Sequence, residues 1–336
     1  MSADWLAPLT AQLAAGQDVV LVTVARTQGS VPREAGASML VGRERTALTI
    51  GGGHLEWQAI AHARRRLASG GSRPEIERYS LGARLGQCCG GVVWLLFENI
   101  PAAALPEWQA RQAAVENGAS LQRRLDHHAR ASDWTAKAGE KGIRLDGGPT
   151  NWQFTQDVAA DRFPVWIFGA GHVAQALVRQ LPPLGAAITW IDSRDEAFAD
   201  IDTGGFDTRI ADMPESEVAS APAGTFFIVM THSHAQDFAL CEAIYRRHDF
   251  AYFGLIGSHS KRASFERRLL DRGLARQRLG ELTCPIGIPG IVGKQPAAIA
   301  LAVAAEILQI HHARQLLGQV ARPRLLDRLV RPFQPE

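Results

Sequence analysis

Hydrophobic and polar residues change their spacing several times along the first hundred residues, and each change marks a predicted element. Runs rich in β-branched residues predict strands, whereas apolar residues three or four positions apart predict helices. The pattern predicts helices over 5–14 and 54–67 and strands over 19–24, 37–41, 46–50, 76–80 and 92–98. We expect these elements to form a small α/β domain.

From residue 163 onward the pattern changes, because short runs that are apolar throughout alternate with helical spacing. The predicted strands cover 164–168, 188–192, 226–230 and 252–256, and the predicted helices cover 235–247, 260–273 and 297–310, together with one that ends at Leu181. Strands without polar alternation are typical of a parallel sheet that is covered on both faces. The second half of the chain is therefore predicted to hold such a sheet.

A glycine-rich turn follows the first of these strands and opens a helix. Gly169 would permit the tight turn, Gly171 would let a phosphate approach the backbone, and Ala174 would allow close packing of helix against strand. Asp192 ends the next strand, where an acid that binds a ribose belongs. His172 in the turn is either a ligand contact or a solvent-facing side chain. The predicted fold class is α/β, with a C-terminal Rossmann-like domain on a parallel sheet and a smaller N-terminal α/β domain.

The length of 336 residues suggests more than one domain, since domains commonly have about 100–200 residues. We predict an N-terminal α/β domain over 1–105, a linker or extension of that domain over 106–160, the Rossmann-like domain over 161–320 and a C-terminal tail over 321–336. The second of these regions is weakly patterned and could hold a helix and a hairpin.

Composition argues against several classes of protein. A net charge of +2 with scattered arginines argues against a nucleic-acid partner. The N-terminus lacks the basic start and apolar run of a signal peptide, and the longest apolar stretch, over 296–308, is too short to span a bilayer, so we expect no membrane association. Four cysteines do not make a disulfide framework, which favours a reducing cytoplasm with free thiols.

Two of the cysteines, Cys88 and Cys89, are adjacent and lie between glycines. Glycines remove side-chain bulk, so a ligand or another protein could approach the sulfur atoms closely. Thiolates are soft donors and good nucleophiles, which suits a soft transition metal or sulfur transfer. The alternative is that both are small hydrophobic residues before the strand over 92–98.

Two further loops of the first domain, over 29–34 and 51–56, combine glycines with a carboxylate. They bracket two predicted strands and could converge on the cysteine loop. Glu34 and Glu56 are either general acid or base groups or charges at a helix start.

In the second domain, a polar loop follows the third predicted strand, at the carboxyl edge where open α/β sheets bind ligands. His232, His234 and Asp237 give this loop the spacing of a metal site, as in metallo-β-lactamase-like hydrolases. The ligand set is incomplete, because Gln236 and Asp237 stand where aspartate and histidine are needed. Contacts to a bound ligand, or a helix cap at Ser233, account for the loop better.

A comparable loop follows the fourth predicted strand. Ser258, Lys261 and Arg262 place a hydroxyl and two bases at a helix start, which favours an anion such as phosphate. Capping alone accounts for Ser258, but it does not explain two cations near a positive helix end.

Successive motifs along nearly the whole chain resemble those of the XdhC/CoxI family. The motifs cover 27–33, 51–56, 87–91, 169–173, Thr231-His232 with Asp237, Gly257-Ser258 with Lys261-Arg262, and 285–287. The resemblance implies a non-catalytic chaperone that binds molybdopterin molybdenum cofactor, supports its sulfuration by a cysteine desulfurase and inserts it into apo-xanthine dehydrogenase. It also implies contacts with molybdenum cofactor biosynthesis proteins, a place in purine catabolism and a homo-oligomer.

By this resemblance Cys88 or Cys89 would contact molybdenum through the cofactor or serve its sulfuration. The residues expected to bind a cofactor are Cys88, Cys89, Gly169, Gly171, His172, Asp192, His232, Ser258, Lys261 and Arg262. Two rival functions stay open. An NAD(P)-dependent oxidoreductase would bind NAD or NADP in the Rossmann-like domain, and a sulfur-transfer enzyme would carry a persulfide on Cys89.

Overall fold

The computed structural model describes residues 3–71, 73–82, 90–137, 142–160, 162–203 and 206–319. The chain divides into two compact units, Met1–Asp161 and Arg162–Glu336. The N-terminal unit is built on antiparallel sheets and the C-terminal unit on a parallel sheet. The predicted fold class is therefore confirmed.

The N-terminal unit combines three helices with nine strands among its described residues. The helices are α1 (Leu6–Ala14), α2 (Gly53–Ser69) and α3 (Leu105–Glu116), and the strands are β1 (Val19–Gln28), β2 (Ser38–Val41), β3 (Thr46–Leu48), β4 (Glu75–Ser80), β5 (Val92–Ile100), β6 (Leu121–Asp126), β7 (Asp133–Ala136), β8 (Ile143–Asp146) and β9 (Gln153–Val158). The first sheet has the order β3-β2-β1-β5-β4 and the second the order β7-β6-β9-β8. The region over 106–160 thus holds most of α3 and a whole sheet, more than the helix and hairpin predicted for it.

α2 covers one face of the first sheet. Its buried residues Leu55, Ala59 and Ala63 are four positions apart and therefore share one side of the helix. They pack into a hydrophobic cluster with alternate side chains of β1, β2 and β5. The helix begins at Gly53, the last of three consecutive glycines.

A buried ion pair links the two sheets of the N-terminal unit. The guanidinium of Arg123, on β6, lies 3.1 Å from a carboxylate oxygen of Glu98, on β5, and also donates to the Thr23 hydroxyl. Burial lowers the pKa of Arg123, and the Glu98 carboxylate opposes that change. A buried charge is tolerated only when it is paired in this way.

The C-terminal unit is a doubly wound sheet. Its strands are β10 (Phe163–Phe168), β11 (Ala186–Asp192), β12 (Asp207–Ile210), β13 (Phe226–Val229), β14 (Tyr252–Leu255) and β15 (Leu282–Thr283), and its helices are α4 (His172–Val178), α5 (Pro214–Glu217), α6 (His234–Tyr245), α7 (His259–Asp271) and α8 (Pro296–Gln319). The strands are parallel and lie in the order β12-β11-β10-β13-β14-β15, which is the Rossmann arrangement. Hydrophobic clusters cover both faces of this sheet.

α8 is longer than the sequence pattern suggested. It has 24 residues, so the argument that the apolar stretch is too short to cross a bilayer does not hold. Among the described residues it is the one helix with the length and composition of a membrane span. That test is also met by core helices, and Ala300, Val303 and Ile307 of α8 pack into the Rossmann core.

Candidate functional site

Three glycine-containing loops meet at one end of the first sheet, and we call this group the glycine-loop site. It comprises residues 28–36, 49–53 and 90–91. In the pairing of β1 with β5, Gln28 lies opposite Val92, which brings the first and third loops side by side. A Cβ atom on Gly91 would collide with the carbonyl oxygens of Gln28 and Ser30. Only glycine therefore fits where these two loops touch.

The second loop of the glycine-loop site also contacts the first. A Cβ atom on Gly51 would collide with the ring of Pro32 and would lie 3.3 Å from Cγ of Arg33. Glu34, the next residue, forms a 3.6 Å ion pair with Arg33 and is largely exposed, so this pair adds little stability. The loops that the sequence suggested could converge therefore lie together as far as they are described.

Glu56, in the first turn of α2, holds the second loop in place. Its Oε2 atom accepts hydrogen bonds from the backbone N–H groups of Ile50 (3.1 Å) and Gly52 (3.0 Å) and from the hydroxyl of Thr49 (2.5 Å). A carboxylate also suits the positive end of a helix. The geometry favours the helix-start interpretation of Glu56 over a general acid or base, because the loop already occupies this oxygen.

Cys88 and Cys89 lie outside the described residues, which stop at Gly82 and resume at Gly90. Their contact with the cofactor and with molybdenum therefore stays a prediction. The described residues on either side of this segment lie together, because the Leu81 N–H donates to the Gly91 carbonyl over 2.9 Å.

A second candidate site lies at the carboxyl edge of the parallel sheet. The strand order reverses between β10 and β13, and ligands of such sheets bind at this switch point. Gly169 has a φ of +106°, and a Cβ atom there would collide with the carbonyl of Met230 at the end of β13. No atom lies within 4 Å of a Cβ atom added to Gly171, and His172 beside it is exposed. The turn therefore leaves its backbone open to a ligand.

Asp192 lies in this region, but its carboxylate already has partners. It accepts hydrogen bonds from the Ala170 N–H (2.6 Å) and from the backbone and guanidinium of Arg194 (2.9 Å each). Burial alone would raise the pKa of Asp192, but these hydrogen bonds outweigh burial and hold the pKa below its usual value. Ribose binding by Asp192 stays a prediction, and it requires Arg194 to share the carboxylate.

The sequence predicts that Lys261 binds an anion, but in the structure its charge is neutralised internally. The Lys261 ammonium lies 2.5 Å from the fully buried carboxylate of Asp237 and donates to the Ile256 carbonyl over 2.9 Å. The other oxygen of Asp237 accepts hydrogen bonds from the backbone and hydroxyl of Thr231. Two motifs that look like separate ligand loops are thus joined to each other by one ion pair.

The remaining predicted residues at this edge differ in the ion pairs and hydrogen bonds that they already form within the protein. Arg262 pairs with Glu266 over 2.7 Å and donates to the Cys284 carbonyl over 3.2 Å. The Ser258 hydroxyl caps α7 by accepting from the Lys261 N–H over 3.2 Å, as capping alone would require. His232 is exposed in the loop after β13. Anion or cofactor binding by these groups stays a prediction.

Histidines of the second site do not assemble a metal centre with the nearby acids. Among the described residues, one group of three metal-type donors lies within 4.8 Å of one another, namely His62, Glu75 and Glu77 of the N-terminal unit. Arg66 and Tyr79 already bind the carboxylates of this group. His232, His234 and Asp237 are therefore better explained as loop and capping residues than as ligands.

A cavity of about 1070 Å³ lies in the N-terminal unit, on the second sheet. Its lining includes Arg124, which bonds Gln122 over 2.6 Å, and Asp157, which Gln122 and the Gly142 N–H both bind over 2.8 Å. Polar groups of the lining thus bond one another, and Lys137 lies 3.8 Å from Asp157, as on a solvated sheet face. We assign it no role.

Sequence reasoning missed three residues in or beside the two sites. The Arg194 guanidinium donates to the Asp192 carboxylate. The sequence Asp-Ser-Arg at the end of a strand does not indicate that the arginine side chain folds back onto the aspartate. Trp57 is exposed on α2, although tryptophan is usually buried. The signal for this in the sequence is that Trp57 lies off the apolar stripe of the helix. Leu48 has a φ of +64°, for which the sequence holds no signal.

The fold and these sites define a class of two-unit α/β proteins, in which a glycine-loop unit precedes a Rossmann unit. A model of the XdhC Rossmann domain matches residues 165–307, and a model of the XdhC and CoxI family matches residues 12–80. This chain belongs to the XdhC and CoxI family. The predicted resemblance is thereby confirmed.

One solved structure shares the fold over nearly the whole chain. A crystal structure of a xanthine dehydrogenase from Bacillus halodurans superposes with a TM-score of 0.73 at 20% identity, covering 94% of this chain and 98% of that one. At this identity the similarity shows a shared fold alone. The NAD(P)-binding domain of an exopolyphosphatase-related protein from Archaeoglobus fulgidus has 24% identity over 32% of this chain and 82% of its own, with a TM-score of 0.28, too low to support an argument. No curated protein matches the chain.

Proposed function

We propose that this protein is an accessory protein of xanthine dehydrogenase. It would bind molybdopterin molybdenum cofactor, support its sulfuration by a cysteine desulfurase and deliver it to the apoenzyme. The proposal includes a cytoplasmic location, a homo-oligomer and contacts with the proteins that make the cofactor. Its starting point is membership of the XdhC and CoxI family.

The observation that supports the proposal most is the glycine-loop site. Three motif loops meet there through contacts that only glycine allows, at Gly51 and Gly91. Cys89 and Cys88 precede Gly91 by two and three residues in the sequence, and Gly91 belongs to the site. We therefore propose them as the thiols that serve it.

The residues at this site suit the chemistry of the cargo. Thiolates are soft donors that match a molybdenum–sulfur head group. Gly52 and Gly90, where no atom lies within 4 Å of an added Cβ atom, leave the backbone of these loops accessible to a ligand. The Arg33 side chain is 39% exposed and passes Gly51 at its Cγ atom. Its guanidinium, which pairs with the exposed Glu34 over 3.6 Å, would supply positive charge for an anionic ligand.

Molybdenum retention tests this proposal directly. We expect protein purified from molybdenum-replete cells to carry molybdenum and an oxidised pterin that fluoresces after extraction. The double substitution Cys88→Ala and Cys89→Ala should reduce both signals at least tenfold. Cys241→Ala, which removes a buried thiol of the Rossmann unit, is the matched control and should retain both.

Two results would contradict the proposal. A wild-type protein without molybdenum and pterin, under conditions where xanthine dehydrogenase in the same cells is loaded, excludes cofactor binding. Full retention by the double cysteine variant excludes the thiols as ligands. The proposed partners are tested by capture on immobilised protein. The protein should capture the cysteine desulfurase, and it should capture xanthine dehydrogenase in the apo form only.

A second candidate function is dinucleotide binding by the Rossmann unit. It is favoured by the strand order and by the open backbone at Gly171. Arg194 beside Asp192 favours NADP over NAD, because an arginine near that acid accommodates a 2′-phosphate. Calorimetric titration tests it: saturable binding of NADP that Gly171→Val abolishes supports it, and absence of heat with either dinucleotide rejects it.

A further inference from the structure

An aromatic pair is exposed at the start of α2, next to the glycine-loop site. The Trp57 side chain is 64% exposed, whereas the other seven tryptophans are buried or half-buried. Trp57 stacks on the imidazole of His54 with ring centroids 5.4 Å apart and planes 25° apart. Gln58 contacts Nε2 of His54 over 3.0 Å and so holds the imidazole in this orientation.

The position of Trp57 places this pair over the first turn of its helix. Helical side chains lean toward the N-terminus, so an indole at Trp57 covers the turn that begins at Gly53. That turn continues directly from the loop that Glu56 holds. One face of the indole is therefore supported by His54 and the other is open to solvent, beside the loop.

Backbone strain marks the other end of the same loop. Leu48 is the one non-glycine residue with a positive φ in the described part of the chain, at +64°, and its side chain is 39% exposed. A bulky residue in this conformation is held there by its surroundings at a cost in energy, and such strain is concentrated at functional sites. An exposed aliphatic residue and an exposed aromatic residue thus flank residues 49–53.

We propose that His54 and Trp57 form a stacking platform for the pterin ring of the cofactor. The inference rests on the proposed function and deepens it, because it names the part of the cargo that this side of the glycine-loop site recognises. A flat, open indole binds a flat heteroaromatic ring by stacking, in a manner that does not depend on the ring's substituents. Arg33, on the neighbouring loop over 28–36, pairs with the exposed Glu34 over 3.6 Å and would add positive charge for the anionic part of the ligand.

The size of the expected effect follows from the energy of stacking. Loss of one aromatic platform under a heteroaromatic base weakens binding by about five- to 150-fold. Trp57→Ala should therefore raise the dissociation constant within this range. Trp57→Phe keeps a flat ring and should stay within about threefold of wild type, whereas His54→Ala should give an intermediate loss.

Binding is measured with two probes on the full-length protein. Free pterin-6-carboxylate is followed by its own fluorescence anisotropy, which does not depend on the protein's tryptophans. The cofactor released anaerobically from a purified molybdoenzyme is followed by retention of molybdenum after gel filtration. Arg65→Ala, an exposed substitution two turns further along α2, is the matched control and should leave both values unchanged.

The outcomes separate the platform from the proposed function. Weaker binding of both probes by Trp57→Ala, with Trp57→Phe and Arg65→Ala near wild type, supports the platform. Equal binding by Trp57→Ala and wild type overturns the platform and leaves the function standing if wild type retains the cofactor. Binding of free pterin through Trp57 without cofactor retention supports the platform and overturns the function. Failure of wild type to bind either probe overturns both.

Discussion

Among individual residues, Glu56 determines the shape of the glycine-loop site. One of its oxygens accepts three hydrogen bonds, two of them from the backbone of a loop that could otherwise move freely. A loop built of glycines has high conformational entropy when unfolded, so it needs such an anchor to stay in one conformation. Glu56 is thus a positioning residue for the loop beneath Trp57.

Replacing this anchor should destabilise the N-terminal unit. We expect Glu56→Ala to lower the free energy of unfolding by about 1–3 kcal/mol, because two loop N–H groups lose their acceptor. Glu56→Gln should lose less, since its amide oxygen can still accept. The measurement is urea unfolding followed by circular dichroism.

The control for this prediction is Glu107→Ala, which removes an exposed carboxylate paired with Arg111 one helical turn away. It should cost about 0.5 kcal/mol or less. Equal destabilisation by Glu56→Ala and Glu107→Ala would show that the loop does not depend on its anchor.

Asp192 makes the stability of the Rossmann unit depend on pH. Its pKa is lower in the folded protein than the ordinary value of 3.8. The unfolded chain therefore binds the proton more tightly, and the stabilisation is present above about pH 4 and lost as the pH falls through the folded pKa. We expect wild type to be more stable than Asp192→Asn at pH 7, and the difference to shrink by pH 3.

Urea unfolding at the two pH values provides the measurement, and Asp195→Asn is the control. Asp195 is an exposed carboxylate three residues further along the chain. A gap between wild type and Asp192→Asn that is as large at pH 3 as at pH 7 would contradict the assigned cause, namely the hydrogen bonds from Arg194 and Ala170.

The residues of the two sites were only partly predictable. The glycine turns before α2 and after β10 could be located from the sequence, because a turn between two predicted elements is a local feature. The close contacts of Gly91 and Gly169 could not, because they join residues far apart in the chain. The partner of Lys261 could not be assigned from sequence. Its ammonium pairs with Asp237, which lies 24 residues away, and only the fold brings α6 beside the first turn of α7. Partner choice among charged side chains is a tertiary property that spacing does not reveal.

Among the secondary-structure elements, apolar strands were predicted from the sequence, whereas strands that are polar or very short were not. Apolar strands such as β10 and β13 were predicted nearly to the residue, because their burial on both faces removes polar positions. β6 was not predicted, because Leu121–Asp126 is a mixed polar sequence with two consecutive arginines. One of them, Arg123, is buried against Glu98. β15 has two residues and leaves no periodic signal.

The junction of β1 with β5 offers a sharp test of the site's construction. Gly91→Ala should destabilise the protein by about 2 kcal/mol or more, because the added methyl group overlaps two carbonyl oxygens of the first loop. Gly90→Ala is the matched control, since no atom lies within 4 Å of a Cβ atom at Gly90. It should change stability by less than about 0.5 kcal/mol.

Thermal unfolding followed by circular dichroism compares the two variants. A tolerated Gly91→Ala would mean that the first and third loops are not in contact, and the glycine-loop site would then lose its main support. Equal destabilisation by both variants would point instead to a general sensitivity of this segment to side chains.

Across the whole molecule, the described residues form separate hydrophobic cores. The clusters around Val22 and Trp5 contain side chains of the N-terminal unit, and those around Trp190 and Phe227 contain side chains of the C-terminal unit. Units with their own cores usually unfold as separate cooperative steps. The sequence length and the change in hydrophobic pattern at residue 163 suggested a division into two parts. The pattern changes because parallel and antiparallel sheets differ in how hydrophobic residues are spaced along their strands.

We therefore expect calorimetry to resolve two transitions. Gly91→Ala should lower the midpoint of one, and Gly169→Ala, which forces a side chain against the Met230 carbonyl, should lower the other. A single transition that both variants move equally would contradict independent cores.

The hydrogen bond from Leu81 to Gly91 has a consequence for the strength of cargo binding. It holds residues 81 and 91 together before any cargo arrives. Binding by the proposed thiols therefore does not carry the loop-closure entropy of bringing these two residues together. We expect a ligand of these cysteines to bind more tightly in the folded protein than to the same segment in an open chain.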